Sequence, residues 1–126
     1  MPPSRARKNF GDSGERVAAL SLAQRGYKII ARNFRTRTGE MDLIAEDADG
    51  LAFVEVRARR GDARSVTPEE SLTPRKRQRL LAVAQEFLAA HPEFADHAWR
   101  IDLVALEVDR AGRIARLDVL KGIVEE

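Results

Sequence analysis

Hydrophobic positions recur with two different periods along the chain, and the change of period marks the predicted elements. Apolar side chains follow a helical spacing over residues 13–25, behind an acid-containing start at 12–15 and before Gly26, which predicts a first helix. Residues 27–34 are rich in β-branched and aromatic side chains, a composition typical of a strand. The fold is therefore expected to begin with a helix followed by a strand.

The next two runs, 40–46 and 51–59, are predicted to form a β-hairpin, because an Asp-Gly step in their connection favours a tight turn. A two-residue loop places Asp42 opposite Arg57, whereas a four-residue loop places Asp42 opposite Glu55. Alternate residues of a strand share a face. Both registers therefore put the carboxylates of Asp42 and Glu55 on one face of the sheet.

A long helix is predicted over residues 74–90, because Thr73 and Pro74 are typical of an N-cap and a first helical position. A short helical turn with a capping-box pattern precedes it. Two strands follow, over 98–108 and 113–120, and the first is apolar on both faces, as expected of a central strand. The order αβββαββ predicts an α/β fold, with a mixed sheet of about five strands flanked by helices.

Length and composition are those of a single folded domain. The chain has 126 residues, of which 44% are hydrophobic and 33% charged. We expect one domain over residues 11–126 behind a flexible, basic N-terminal tail at residues 1–10. The absence of cysteine excludes disulfides, thiolate zinc sites and cysteine nucleophiles. No run approaches the roughly 18 apolar residues of a membrane span, so we expect a cytoplasmic protein without a membrane partner.

Basic residues form two clusters, one after the third strand and one at the start of the long helix. The first cluster contains Arg59, Arg60 and Arg64, and the second contains Arg75, Lys76, Arg77 and Arg79. The formal net charge is only +2, so any affinity for nucleic acid depends on where these charges lie. We expect the two clusters to form one phosphate-binding rim. Lys76 lies at the edge of the buried helix face, where it is either solvated or directed inwards.

The hairpin carries the candidate chemistry. Glu55 lies among core-facing positions of its strand, and an unpaired buried carboxylate is costly. A salt bridge to Arg57 would compensate that cost. A divalent cation held by Asp42 and Glu55 would also compensate it, because Mg²⁺ prefers oxygen ligands. Glu15, in the first turn of the first helix, is favoured there by the helix dipole alone and would serve a site only beside a metal.

The order of these motifs resembles the YraN-like family of bacterial proteins, from Gly14 to the last strand. The matching positions are Glu15, Gly26-Tyr27, Arg32-Asn33, residues 39–45, residues 53–59 and Lys76 to Leu80. By similarity this family belongs to the PD-(D/E)XK nuclease superfamily and is close to archaeal-type Holliday-junction resolvases. The resemblance implies a restriction-endonuclease-like core, Mg²⁺ or Mn²⁺ as cofactor, and DNA as partner. It leaves a homodimer open.

Carried over to this chain, the resemblance makes Asp42, Glu55 and Glu15 the metal ligands, with Asp42 and Glu55 also catalytic. Position 57 departs from the family pattern, because Arg57 stands where the motif has lysine. A lysine can help to deprotonate the attacking water, whereas an arginine stays protonated. Either Arg57 clamps the scissile phosphate, or Lys76 reaches in from the helix. Both residues are therefore candidate catalytic groups.

The leading hypothesis is a metal-dependent endonuclease that hydrolyses phosphodiester bonds of DNA, with some selectivity for DNA structure. The alternative is a catalytically impaired nucleic-acid-binding module that keeps the nuclease fold. A third interpretation is a structural adaptor, in which Asp42, Glu55 and Arg57 form a plain salt-bridge cluster. Metal binding would separate the third interpretation from the first two. Turnover would separate the first from the second.

Overall fold

The computed structural model describes residues 5–61 and 66–124. Its elements, in chain order, are helix α1 (Arg5–Gln24), strands β1 (Lys28–Arg35), β2 (Glu40–Asp47) and β3 (Gly50–Arg60), helices α2 (Pro68–Ser71) and α3 (Pro74–Ala90), a short 3-10 helix (Pro92–Phe94), and strands β4 (Trp99–Val108) and β5 (Ile114–Leu120). This order confirms the predicted αβββαββ arrangement, with α2 as the short turn that precedes the long helix.

The five strands form one sheet in the order β1-β2-β3-β4-β5. Strands β3 and β4 are parallel, and the other neighbouring strands are antiparallel. Helix α1 packs on one face, where Leu22 belongs to a cluster that includes Leu43 and Val54. Helix α3 packs on the other face, where its buried stripe meets Ile44 and Phe53. The predicted mixed sheet flanked by helices is confirmed.

The first helix begins at Arg5, well before the predicted start at residue 13. The capping pattern at 12–15 is therefore a poor guide to the helix start. Gly11 and Gly14 do not end the helix, since each isolated glycine in a helix costs only about 1 kcal/mol. Residues 5–10 of the predicted tail belong to α1. Residues 1–4 of that tail lie outside the described residues.

The β2–β3 hairpin adopts the register that sets Asp42 opposite Glu55, since its pairs run from Leu43 with Val54 to Asp47 with Gly50. Its turn is two residues long and lies one step earlier than the predicted Asp-Gly turn. Gly50 has a φ of 134°, and a Cβ at this position would lie 2.2 Å from the carbonyl oxygen of Ala98. Glycine is therefore required for the close approach to the start of β4.

A buried charge network fixes the C-terminal segment to the turn end of the sheet. Asp102 is fully buried, and its two carboxylate oxygens accept from Arg100 Nε at 3.0 and 3.1 Å. The backbone N–H of Gly122 also donates to Asp102, at 3.0 Å. Arg100 Nη2 in turn donates to Asp47 at 2.8 Å. These bonds compensate the burial of the carboxylate.

Strand β1 forms one edge of the sheet and is irregular. Its pairing with β2 shifts between Ile29 and Ala31. Asn33 has a φ of 52°, in the left-handed region that asparagine tolerates better than most residues. In the part of the chain that the structure describes, no helix is both long and apolar enough to cross a membrane.

Candidate functional site

Asp42 and Glu55 form a carboxyl pair on the face of the sheet that α3 covers. Protonated Glu55 donates a hydrogen bond to Asp42, and Asp42 Oδ2 also accepts from the backbone N–H of Val56 at 2.8 Å. Burial and the neighbouring Asp42 raise the pKa of Glu55 to about 9, because the charged form loses hydration and meets a like charge. Glu55 therefore keeps its proton at neutral pH, in the hydrogen bond that joins it to Asp42.

Arg57 lies beside this pair, but its Nε forms no hydrogen bond with either carboxyl group. Its Nε is 3.5 Å from Glu55 Oε2. Among the described residues this nitrogen is buried without a hydrogen-bond partner. A buried donor without an acceptor is costly, and stable structures avoid it. The contact is therefore not a well-formed structural salt bridge.

A pocket of about 190 Å³ opens next to the pair and brings several of the predicted residues together. It is lined by Gly39, Glu40, Glu55, Arg57, Lys76, Arg79 and Leu80. Lys76 is exposed at the start of α3, and its Nζ donates to the carbonyl of Ser71 at 3.2 Å. The structure thus places both candidate cations, Arg57 and Lys76, on the wall of one pocket that contains Glu55.

Two further polar residues belong to this site although the sequence did not single them out as site residues. Glu40 lines the pocket, and its charge adds to the rise in the pKa of Glu55. With its amide nitrogen facing them, Asn33 donates to Glu15 Oε2 and to Glu40 Oε1, at 3.1 Å in each case. The alternation of β2 could have identified Glu40, which shares the parity of Asp42. The role of Asn33 depends on its backbone conformation and leaves no such signal.

Glu15 lies on the other face of the sheet, in a second pocket of about 270 Å³ that also contains Arg16, Arg32, Asn33 and Leu43. The hydrogen bonds of Asn33 link Glu15 to Glu40 and so to the first pocket. Within residues 5–61 and 66–124, no group of three or more acidic or histidine side chains is placed to hold a metal ion. The structure therefore brings Asp42 and Glu55 together, while Glu15 as a third ligand stays a prediction.

The cluster of basic residues at the start of α3 is divided between the pocket and the C-terminal segment. Arg75, Lys76 and Arg79 are exposed, and the latter two line the pocket. Arg77 is half-buried and donates to the carbonyls of Leu72 and Ile123, at 3.1 and 2.9 Å. It therefore holds the C-terminal segment against α3.

The cluster after the third strand lies at the end of β3. Arg59 is half-buried and forms an ion pair with Glu107, and Arg60 is exposed at the last position of the strand. Arg64 lies outside the described residues. A single rim made from both clusters stays a prediction.

Fold and site together define an α/β protein with a mixed sheet, a proton-sharing carboxyl pair and a basic pocket. Residues 14–106 match the family described as "Uncharacterised protein family UPF0102", which is the YraN-like family, and the chain belongs to this family. The UPF0102 protein of Roseiflexus castenholzii is 43% identical over 120 residues, or 95% of this chain and 96% of its own. That of Moorella thermoacetica is 40% identical over 116 residues, or 92% of this chain and 95% of its own.

The resemblance to the YraN-like family is confirmed by these matches. Among solved structures, SfsA of Pyrococcus furiosus, described in complex with Ca²⁺, aligns with a TM-score of 0.41 and 16% identity. The alignment covers 95% of this chain and 65% of SfsA.

Proposed function

We propose that this protein is a Mg²⁺- or Mn²⁺-dependent endonuclease that hydrolyses phosphodiester bonds of DNA. The observation that carries the proposal is the pairing of Asp42 with Glu55 at a pocket whose walls also hold three cationic side chains. Anionic substrate and cationic metal are both accommodated by such a site, because the carboxylates attract the metal and the basic residues attract a phosphate.

The donor set of the carboxyl pair fits a hard divalent cation. Asp42 and Glu55 would hold the metal through their carboxylate oxygens, and loading the site would displace the proton that they share. Bound there, Mg²⁺ would supply an acidified water and neutralise charge on the phosphate. Asn33 would keep Glu40 directed towards the same pocket through its 3.1 Å hydrogen bond.

Arg57 and Lys76 supply the positive charge that the pentacovalent phosphate requires. The buried Nε of Arg57, which has no acceptor among the described residues, suits a phosphate oxygen as its partner. An arginine guanidinium stays protonated at neutral pH, so it stabilises charge without acting as a base. Lys76 enters the pocket on a flexible stem from α3 and is the residue able to orient the attacking water.

A catalytically impaired nucleic-acid-binding module is the second candidate. It is favoured by the presence of Arg57, and not lysine, beside Glu55. The structural-adaptor interpretation has less support, because a salt-bridge cluster built for stability would satisfy the buried nitrogen of Arg57. Metal binding and turnover separate the three functions.

The test is a cleavage panel of linear, flapped, single-stranded and four-way-junction DNA, each with Mg²⁺ and with Mn²⁺. Asp42→Asn and Glu55→Gln should each lower the rate by about 10²-fold or more, whereas Glu46→Gln, on the same face of β2 but at its other end, should cleave as the native chain does. Cleavage without added metal, or equal rates for all four proteins, would overturn the proposal.

Calorimetric metal titrations complete the test. If the native chain binds metal but cleaves no substrate, the result would exclude the endonuclease and support the nucleic-acid-binding module. Equal heats of metal titration for the native chain and the Asp42→Asn variant would exclude a metal site at Asp42 and support the structural adaptor.

A further inference from the structure

A second basic pocket lies across β1 from the proposed catalytic pocket. It has a volume of about 270 Å³ and contains one arginine from α1, Arg16, and one from β1, Arg32. Both side chains are exposed, and neither forms an ion pair or hydrogen bond with another described residue. Two guanidinium groups therefore line one concave surface without a described partner.

A carboxylate lies in the same pocket and is held by an amide. Glu15 Oε2 accepts a hydrogen bond from the amide of Asn33 at 3.1 Å. Some arginines of the described chain pair with nearby acids, as Arg100 does with Asp47 at 2.8 Å. In the second pocket two guanidinium groups outnumber one carboxylate, so the lining carries a net positive charge. This arrangement favours an external anion, since guanidinium groups bind phosphate with two parallel hydrogen bonds.

The two pockets are physically connected at the β1 edge of the sheet. Asn33 bonds at once to Glu15, which lines the second pocket, and to Glu40, which lines the first. Because β1 is an edge strand, no further strand of the described sheet separates the two pockets from solvent at this edge. A polynucleotide strand that crosses this edge would therefore meet both pockets of the described chain.

We propose that Arg16 and Arg32 form a second phosphate subsite, which binds a backbone phosphate adjacent to the phosphate at Asp42 and Glu55. The subsite rests on the proposed function, since it assigns a path to the nucleic acid that the catalytic pocket would cleave. It places contacts of the substrate on both faces of the sheet, with Arg79 and Lys76 on the α3 face and Arg16 and Arg32 on the α1 face.

The test measures the binding of a fluorescent DNA duplex in EDTA, where no metal-dependent cleavage occurs. The full chain is compared with Arg16→Gln/Arg32→Gln, with Arg75→Gln/Arg79→Gln, and with a control, Lys28→Gln, which removes an exposed charge from the far end of β1. The Arg16/Arg32 double variant should lower the log-log salt slope by about 0.9 for each phosphate that it no longer binds. The control should keep the native slope. Thermal unfolding of each variant verifies that the fold is intact.

A second measurement locates the phosphate. Single phosphates of the duplex are replaced in turn by neutral methylphosphonates, and affinity is measured for native and variant chains. At one position the replacement should weaken DNA binding by the native chain several-fold but leave DNA binding by the Arg16/Arg32 variant unchanged. The reason is that this variant already lacks the guanidinium groups that contact this phosphate. An unchanged salt slope in that variant, or no such position, overturns the subsite while metal-dependent cleavage still supports the proposed function. A native chain that binds no DNA overturns both.

Discussion

Replacing Glu55 by glutamine should stabilise the metal-free protein at neutral pH and lower the rate of the proposed cleavage by about 10²-fold or more. The folded-state pKa of Glu55 is about 9, above its ordinary value of 4.5, so the native state binds this proton more tightly than the unfolded state. The contribution of Glu55 to stability is therefore complete below about pH 4.5 and is lost as pH rises towards 9. The side chain is 15% exposed, so solvent screens this effect little.

The size of the effect follows from the pH interval. Between pH 4.5 and pH 7, ionisation of the Glu55 carboxyl in the unfolded state lowers the free energy of unfolding by at most about 3 kcal/mol, since one pKa unit is worth about 1.4 kcal/mol. Glutamine carries no such cost, and its amide can donate to Asp42 where the shared proton now lies. We expect the Glu55→Gln protein to be about 1–3 kcal/mol more stable than the native chain at pH 7, and equal to it near pH 4.5.

Urea denaturation at pH 4.5 and pH 7 measures the difference, with Glu46→Gln as the matched control, since that carboxylate lies on the same strand face at the opposite end. Adding Mg²⁺ at pH 7 should stabilise the native chain and leave Glu55→Gln unchanged. A Glu55→Gln protein that is less stable than the native chain at pH 7, with a normal Glu46→Gln control, would refute the shared-proton description of the site.

Three other changes test the framework around the site. Gly50→Ala should lower the free energy of unfolding by at least about 3 kcal/mol, because Gly50 has a positive φ and the added Cβ would clash with Ala98. Gly112→Ala is the control and should cost only about 1 kcal/mol, because Gly112 also has a positive φ, +82°, but faces open space. Equal losses of the two variants in urea denaturation would contradict this expectation. Asn33→Asp puts a third carboxylate between those of Glu15 and Glu40. The midpoint of thermal unfolding should therefore fall at pH 7 and recover at pH 4. A change that does not depend on pH would exclude repulsion between the carboxylates as the cause. The hydrogen bond from Arg100 lowers the pKa of Asp47 from 3.8 to about 2. The stability that this carboxylate contributes is therefore present above pH 3.8 and lost as pH falls through 2. Asp47→Asn should reduce the loss of stability between pH 3.8 and pH 2 in denaturation measurements, and an unchanged loss would contradict the role of Asp47.

Much of the fold could be predicted because its elements carry strong local patterns. The buried stripe of α3 appears directly in the spacing of Leu80, Val83, Ala84 and Phe87. The register of the β2–β3 hairpin stays open between two alternatives in the sequence, because the close approach of Gly50 to Ala98 involves a strand far along the chain. The predicted start of α1 is too late for a related reason, since a local capping pattern carries no information about the packing around it.

The candidate site was predictable to the extent that strand alternation determines it. Parity alone puts Asp42 and Glu55 on one face, and the register of strands β2 and β3 confirms that prediction. The approach of Lys76 to the same pocket requires the docking of α3, which the sequence leaves undecided. Asn33 could not be assigned at all, because its bonds to two carboxylates depend on a left-handed backbone at an irregular edge strand.

The irregularity of β1 also protects the molecule against unwanted self-association. An exposed edge strand is a template for intermolecular β-pairing, and proteins block it with bulges and charges. Strand β1 has both, since its pairing shifts after Ile29, Asn33 leaves the extended conformation, and Lys28 and Arg32 are exposed. The edge that would face nucleic acid is therefore a poor surface for fibril growth. Aggregation at high concentration should instead begin at β5, the opposite edge, where Ile114 is 50% exposed.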